Sequence, residues 1–261
     1  MVRNLKNIMR LIDDAKNELP VEKNFLFDLK RSIELDDSEN TRKPSSTYKP
    51  SSMNCIRNMY YQVTGAEPAP STSSYMLVGI CNSGTDIHER IQTAVSKMKL
   101  HGIDCEYVDV AEFVNSRGID GLTVVSKQGM ETKLFYKPLN ISFLCDGIIR
   151  YKGKYYILEL KTETSYKWQQ REFVDRKHFN QAIAYSTILG LNNVLFIYIS
   201  RDNLDMKSYM FVVTNEMKME LVNKIEKCDS YVKKLSIPPK PEEANGKFCQ
   251  YCSYRLRCDT E

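Results

Sequence analysis

The stretch ISFLCDGIIRYKGKYYILELK, residues 141–161, constrains this chain more than any other. Lys152-Gly153 suits the two-residue turn of a β-hairpin, and folding about it pairs residues whose numbers sum to the same total. Asp146 then faces Glu159. Directly opposed side chains on antiparallel strands bring their Cβ atoms to about 5 Å, so two carboxylates there repel unless a cation lies between them. Side chains alternate along a strand, which puts Lys161 on the face of Glu159. Hard oxygen ligands of this kind suit Mg²⁺ or Mn²⁺, ions that polarise a phosphoryl oxygen and lower the pKa of bound water. The same spacing would also suit a surface hairpin carrying a solvated charge cluster. Apolar Ile157, Leu158 and Leu160, with the apolar run at 194–199 as a neighbouring strand, speak for a core sheet instead.

Elsewhere the pattern is mixed. Leu5, Ile8, Met9 and Ile12 recur at helical spacing and predict an amphipathic helix within residues 1–35. Residues 36–52, DDSENTRKPSSTYKPSS, are polar and aperiodic and predict a linker, so the fold proper is expected to begin near Met53. Ile87, Ile91, Ala94, Val95 and Met98 predict a helix over 84–100, with Ser83 or Thr85 as its cap. Residues 105–161 read as strands broken at Gly118, Gly121, Gly129 and Pro138. A helix over 166–189, strands over 193–200 and 207–213, and a helix over 216–235 follow. The fold class is therefore α/β, a mixed central sheet flanked by helices. It divides into an N-terminal extension and linker (1–52), a core (53–235) and a cysteine-bearing segment (236–261).

With 261 residues, 42% hydrophobic and 27% charged, the composition is that of a globular chain with room for one substantial core. A net charge of +4, from 37 basic and 33 acidic side chains, is too small to establish nucleic-acid binding by itself. No run approaches the roughly 18 apolar residues of a membrane span, and the first residues carry acids where a signal peptide would be apolar. A cytoplasmic protein is expected, and in that compartment eight cysteines read as metal ligands before disulfides. Three of them form the cluster Cys249-x2-Cys252-x5-Cys258. Cys81, Cys105, Cys145 and Cys228 read as small core residues.

Together these motifs resemble the RecB-type branch of the PD-(D/E)XK nucleases, over residues 53–258. The likeness is to its iron-sulfur members, among them the CRISPR-associated adaptation exonuclease, the AddB nuclease domain and phage-encoded exonucleases. The matching residues are SSMNCIRNMYYQVTG with Cys55, GTDIHE with His88, Asp146-Gly147, Glu159-Leu160-Lys161, Gln181-x3-Tyr185 and FCQYCSYRLRC. The resemblance implies a restriction-endonuclease-like core in which His88 completes the metal site and Gln181 and Tyr185 border it. It also implies a [4Fe-4S] cluster on Cys55, Cys249, Cys252 and Cys258, for which tetrahedral Zn²⁺ is the chemical alternative. That centre would join the two ends of the core.

The expected activity is hydrolysis of DNA by a bacterial or phage enzyme serving recombination, replication or CRISPR adaptation, with an exonuclease on single strands preferred over a flap endonuclease. One or two Mg²⁺ or Mn²⁺ ions would sit on His88, Asp146, Glu159 and the Leu160 carbonyl, with Lys161 positioning water. Tyr60, Tyr61, Tyr166 and Trp168 would stack on bases and Arg57, Lys167 and Arg171 would hold phosphates. Residues 1–50 would dock a protein partner. The competing reading is a non-cleaving DNA- or partner-binding module stabilised by zinc.

Overall fold

The computed structural model describes residues 20–39, 44–69, 74–241, 249 and 252–261. The helix expected around Leu5–Ile12 lies outside them. In chain order the elements are α1 (Val21–Glu39), α2 (Ile56–Val63), α3 (Tyr75–Lys97), β1 (Cys105–Val108), α4 (Val110–Arg117), β2 (Leu122–Gln128), β3 (Glu131–Tyr136), β4 (Ile141–Cys145), β5 (Gly147–Tyr151) and β6 (Lys154–Glu163). Then come α5 (Ser165–Gln169), α6 (Phe179–Leu189), β7 (Asn193–Ser200), β8 (Met206–Val212), α7 (Asn215–Lys233) and α8 (Arg255–Thr260).

The chain forms two compact units, residues 1–42 with 70–82 and residues 43–69 with 83–261. In the first, Glu34 accepts a hydrogen bond from the Tyr75 backbone at 3.0 Å, and the Lys30 ammonium lies 4.6 Å from the Tyr75 ring. Phe25, Leu26, Phe27 and Leu35 of α1 remain exposed.

The second unit holds a five-stranded sheet, ordered β1-β5-β6-β7-β8, and a three-stranded sheet, β2-β3-β4. Among the described strands β6 and β7 pair in parallel and the other strand pairings are antiparallel. β7 reads VLFIYI because it lies centrally with both faces covered, as a strand reached by a helical crossover must. Ile87 and Val95 of α3 pack on Leu158, Leu160 and Ile199. Ile157, Val194 and Phe196 belong to the larger cluster with α6, α7 and the small sheet.

Several expectations need correction. The segment 141–151 is two strands in two sheets, with Asp146 between them. α3 begins at Tyr75, so His88 lies in mid-helix and neither Ser83 nor Thr85 caps it. The expected helix over 166–189 breaks after Gln169, because Arg171 turns inward to a bidentate contact with Glu163, Nε to Oε1 at 2.5 Å and Nη2 to Oε2 at 2.6 Å. Helix α4 was not foreseen; its Asp109 cap accepts from the Glu112 N–H at 3.0 Å, and Gly118 ends it at φ 57°. Cys81 is exposed rather than buried, whereas Cys105, Cys145 and Cys228 are core residues.

The supposed linker also fails at its C-terminal end. Tyr48 is fully buried, bridges to Ile141, and donates its hydroxyl to Asp229 at 2.6 Å. Tyr48→Ala should therefore lower stability by about 3–5 kcal/mol, as loss of a large buried side chain does. Urea unfolding measures this, and a change below about 0.5 kcal/mol, the range of an ordinary surface substitution, would return residues 44–52 to the linker class.

Candidate active site

Asp146 is where the chain passes from one sheet to the other. On the small sheet Thr132 pairs with Cys145, so one step outward Glu131 stands opposite Asp146. On the large sheet Gly147 pairs with Leu158, so one step outward Glu159 does. The hairpin turns at Lys152 and Gly153, both with positive φ (48° and 76°), as a type I′ turn requires. A single aspartate thus has an acid on each side.

The crossing is clamped from several directions. Asp146 Oδ2 accepts from the Leu160 N–H at 2.8 Å. The Asp146 carbonyl accepts from Gln92 Nε2 at 2.7 Å and from the Tyr107 hydroxyl at 3.0 Å, which also lies 2.9 Å from the Met130 carbonyl. Gly147 is required here, because a Cβ would sit 2.7 Å from the Tyr107 ring. One helical turn before Gln92 on α3, His88 Nδ1 lies 3.7 Å from Glu131 Oε1 and 3.8 Å from Asp146 Oδ2. Gly84, a further turn back, lets α3 approach β6: its Cβ would stand 3.3 Å from Thr162 Oγ1.

Among the described residues, His88, Glu131 and Asp146 offer ligand atoms within 4.8 Å of one another. Glu159 is buried and paired with Lys161 through Oε1, while its Oε2 has no hydrogen-bond partner among the described residues. An unpartnered buried carboxylate oxygen is costly, and a cation satisfies it. The donor set of oxygens with one imidazole fits a divalent metal ion.

Burial, then repulsion from Asp146, pushes the Glu159 carboxyl up to about 8. Burial raises Asp146 as well, against the pull of Lys161 and His88. Burial disfavours the charged forms of His88 and Lys161, but Glu131 and Asp146 outweigh it for His88, and Glu159 and Asp146 for Lys161. Both bases end above their ordinary values.

Gln181 donates to the Tyr185 hydroxyl at 2.8 Å, and that hydroxyl donates to the Leu144 carbonyl at 2.9 Å. The buried Tyr185 ring stacks on Phe143 at 4.6 Å. This pair ties α6 to β4 two residues before Asp146. The expected DNA contacts fare differently. Arg57, Tyr60 and Tyr61 are buried. Arg171 is committed to Glu163 and stacks over Tyr198 at 4.0 Å, and Trp168 donates its indole N–H to the Tyr198 carbonyl at 3.0 Å. Tyr166 is exposed, and Lys167 pairs with Asp175 at 2.9 Å.

The C-terminal segment packs on α2. Tyr61 and Tyr254 rings lie 5.6 Å apart, and the Ala69 N–H donates to the Ser253 carbonyl at 2.8 Å. Burial pushes the Cys252 thiol up, a backbone hydrogen bond at Tyr254 works against it, and Cys55, Cys249 and Cys258 add to the rise. Asn58 donates to Cys252 Sγ at 3.4 Å. Among the described residues no three of these sulfurs lie mutually within 4.8 Å, a looser grouping than the roughly 3.8 Å edges of a tetrahedron with Zn–S of about 2.3 Å.

Glu131, Gln92 and Tyr107 were not anticipated. Glu131 had a usable signal: the summing rule applied to the turn at Pro138 and Leu139 sets it opposite Asp146. Gln92, four residues after His88, shares its helix face. Tyr107 carries no local mark.

A pH dependence follows. An acid whose folded-state pKa lies above its unfolded value contributes stability that is full below the unfolded pKa and lost as pH rises through the folded one. Without divalent metal, thermal stability should fall from pH 5 to pH 9. Glu159→Gln should flatten that fall and be the more stable protein at pH 9, and Mn²⁺ should raise the melting temperature of the unaltered chain most at high pH. Parallel pH profiles for the two proteins would contradict the burial of Glu159 as a strained carboxyl.

No protein-family model and no curated protein matches the chain. Among solved structures it is similar to the crystal structure of SSO0001, at 17% identity over 90% of this chain and 97% of that one, with a TM-score of 0.46. It is also similar to LHK-Exo in complex with dAMP (9% identity, 74% and 92% covered, TM-score 0.39). The third likeness is to an alkaline exonuclease, LHK-Exo, from Laribacter hongkongensis (9% identity, 74% and 90% covered, TM-score 0.37).

Proposed function

We propose that this chain is a divalent-metal-dependent deoxyribonuclease acting at the sheet crossing. The observation that carries the reading is Asp146 set between Glu131 and Glu159, with the His88 imidazole and the Lys161 ammonium beside them. His88, Glu131, Asp146 and Glu159, with the Leu160 carbonyl, would hold Mg²⁺ or Mn²⁺. Such an ion supplies Lewis-acid polarisation of a phosphoryl oxygen and an acidified water.

The chain's own groups do the rest. Lys161 is protonated at neutral pH, so it serves as donor and cation, orienting the attacking water and offsetting charge on the phosphate. The Leu160 N–H and the clamp on the Asp146 carbonyl hold that carboxylate at one orientation, which a metal ligand needs if its geometry is to persist through turnover. Gln181 and Tyr185 act as positioning residues through β4.

Single-stranded DNA, attacked from its ends, is the substrate we favour. The site-lining Lys161 and the nearby half-exposed Lys167 support an anionic substrate. The exposed apolar side chains of α1 support a protein partner for the N-terminal unit. No described helix is long and apolar enough to cross a membrane. We assign Cys55, Cys249, Cys252 and Cys258 to a structural metal centre, favouring [4Fe-4S] over Zn²⁺; the packing of Tyr254 on Tyr61 and the Asn58 amide on Cys252 Sγ, which bring the C-terminal segment to the helix that follows Cys55, support this.

With end-labelled oligonucleotides and Mn²⁺, the unaltered chain should cut, EDTA should stop it, and Glu131→Ala, Glu159→Ala and Lys161→Ala should each lose about 100-fold or more in rate. Labels at either end then give polarity. Retained cutting by folded Glu159→Ala or Lys161→Ala would remove the proposed site, and a chain that binds DNA without ever cutting it would be the binding module instead.

A further inference from the structure

His178 has no part in the site described so far, although it stands beside it. It is the last residue of a 3₁₀ turn, Arg176–His178, that leads into α6. Its ring lies against those of Phe196 and Tyr198, with centroids 6.3 and 5.9 Å away and planes inclined by 15° and 28°. In the parallel pairing of β6 with β7, Phe196 is level with Glu159 and Tyr198 with Lys161. Side chains level with one another share a sheet face, and neighbouring strands run about 4.8 Å apart. His178 therefore stands one strand away from the Glu159 carboxylate and the Lys161 ammonium, on their side of the sheet.

The hydrogen bonds around Tyr198 fix what this imidazole can do. Tyr198 is fully buried. Its hydroxyl accepts from the Asp175 N–H at 3.0 Å and lies 2.8 Å from His178 Nδ1. A backbone N–H only donates, so the hydroxyl's own proton must go elsewhere. A buried hydroxyl proton without an acceptor is costly, and among the described residues Nδ1 is the acceptor within its reach. Nδ1 then presents its lone pair, which puts the ring's proton on Nε2. The ring is half-buried, and Nε2 has no hydrogen-bond partner among the described residues.

This arrangement rules out proton shuttling. The lone pair that a general base needs is committed to Tyr198. An imidazolium would turn an Nδ1–H on the Tyr198 oxygen and leave the hydroxyl proton with no acceptor. Burial also holds the ring well below its usual pKa; Lys161 of β6 and Lys177 push the same way and Lys167 adds to them, against Asp175. What remains is a neutral donor whose charge does not change. Beside Lys161, the group such a donor suits is an anionic oxygen.

We infer that His178 Nε2–H donates to a non-bridging phosphate oxygen of the bound strand, with Tyr198 as the positioning residue that fixes its tautomer. This rests on the nuclease reading above and adds a substrate contact to that site. His178, Gln181 and Tyr185 then follow one another at spacings of three and four along one face of α6. The first meets substrate, and the other two hold β4.

Two measurements test it. Nitrogen-15 spectra of histidine-labelled full chain, to which only three imidazoles contribute, read the tautomer without any turnover. The His178 signals, identified by their loss in His178→Gln, should show a bare Nδ1 and a protonated Nε2 from about pH 5.5 to about 8.5. The Nε2 signal should shift when a single-stranded oligonucleotide is added. In cleavage with Mn²⁺, His178→Ala should raise KM about 10-fold, and His178→Gln, whose amide also donates, should recover most of that. Tyr198→Phe should fall between them. Methylphosphonate groups placed singly along the strand each replace one phosphate oxygen by methyl. At one position the unaltered chain should lose as much as His178→Ala does, and His178→Ala should lose nothing further there.

An Nδ1–H tautomer, titration near the ordinary histidine pKa, or a His178→Ala loss that adds to the methylphosphonate loss at every position would overturn the inference. If His178→Ala does not fold, the unaltered chain's spectra and the His178→Gln kinetics still decide it. A chain that never cuts DNA defeats the nuclease reading, whereas a cutting enzyme whose Nε2 signal ignores DNA defeats only the inference.

Discussion

Mutual repulsion of Glu131, Asp146 and Glu159 is the constraint around which this molecule is arranged. Glu131 is presented from β3, Glu159 from β6 and Asp146 from the link between β4 and β5; two are buried, and the topology brings them together because Asp146 is the one residue between those two strands. A fold that concentrates negative charge in a poorly solvated place is stressed unless a cation relieves it. Lys161 and His88 relieve it in part. The orphaned Glu159 oxygen marks the share they leave.

Everything close by serves to keep that arrangement from relaxing. Tyr107 spans the Met130 and Asp146 carbonyls and so locks the two acidic strands in register with each other. Its ring leaves no room for a side chain at position 147. Gln92 and His88 share a face of α3, so one helix supplies both a clamp and the imidazole of the candidate metal site. A second centre at the cysteines would act at longer range, joining Cys55 to ligands far along the chain, where closing so long a loop carries a substantial entropic cost.

The parts of this arrangement that sequence reveals are those governed by local rules. A two-residue turn sets its own register, so the facing of Asp146 and Glu159 and the position of Lys161 could be read directly from residues 141–161. The β7 strand announced itself by an unbroken apolar run. Where tertiary contacts override local preference, the reading failed: helical periodicity ran straight through Arg171, which the buried Glu163 carboxylate pulls out of the helix. Polar composition hid Tyr48, whose hydroxyl finds Asp229 inside the core. The burial of Arg57, Tyr60 and Tyr61 is likewise not written in residue type. Glu131 was legible in principle through a second turn, but only once the small sheet was known to abut the large one at Asp146.

The most direct measurement of the central claim is calorimetric titration of Mn²⁺ into the full chain at pH 7, repeated in two buffers of different ionisation enthalpy so that proton release is counted. Carboxyls held above their ordinary pKa must shed protons when a metal ion takes their place. The account predicts saturable binding with net proton release, both lost in Asp146→Asn. Binding that releases no protons, or that survives Asp146→Asn unchanged, would contradict it.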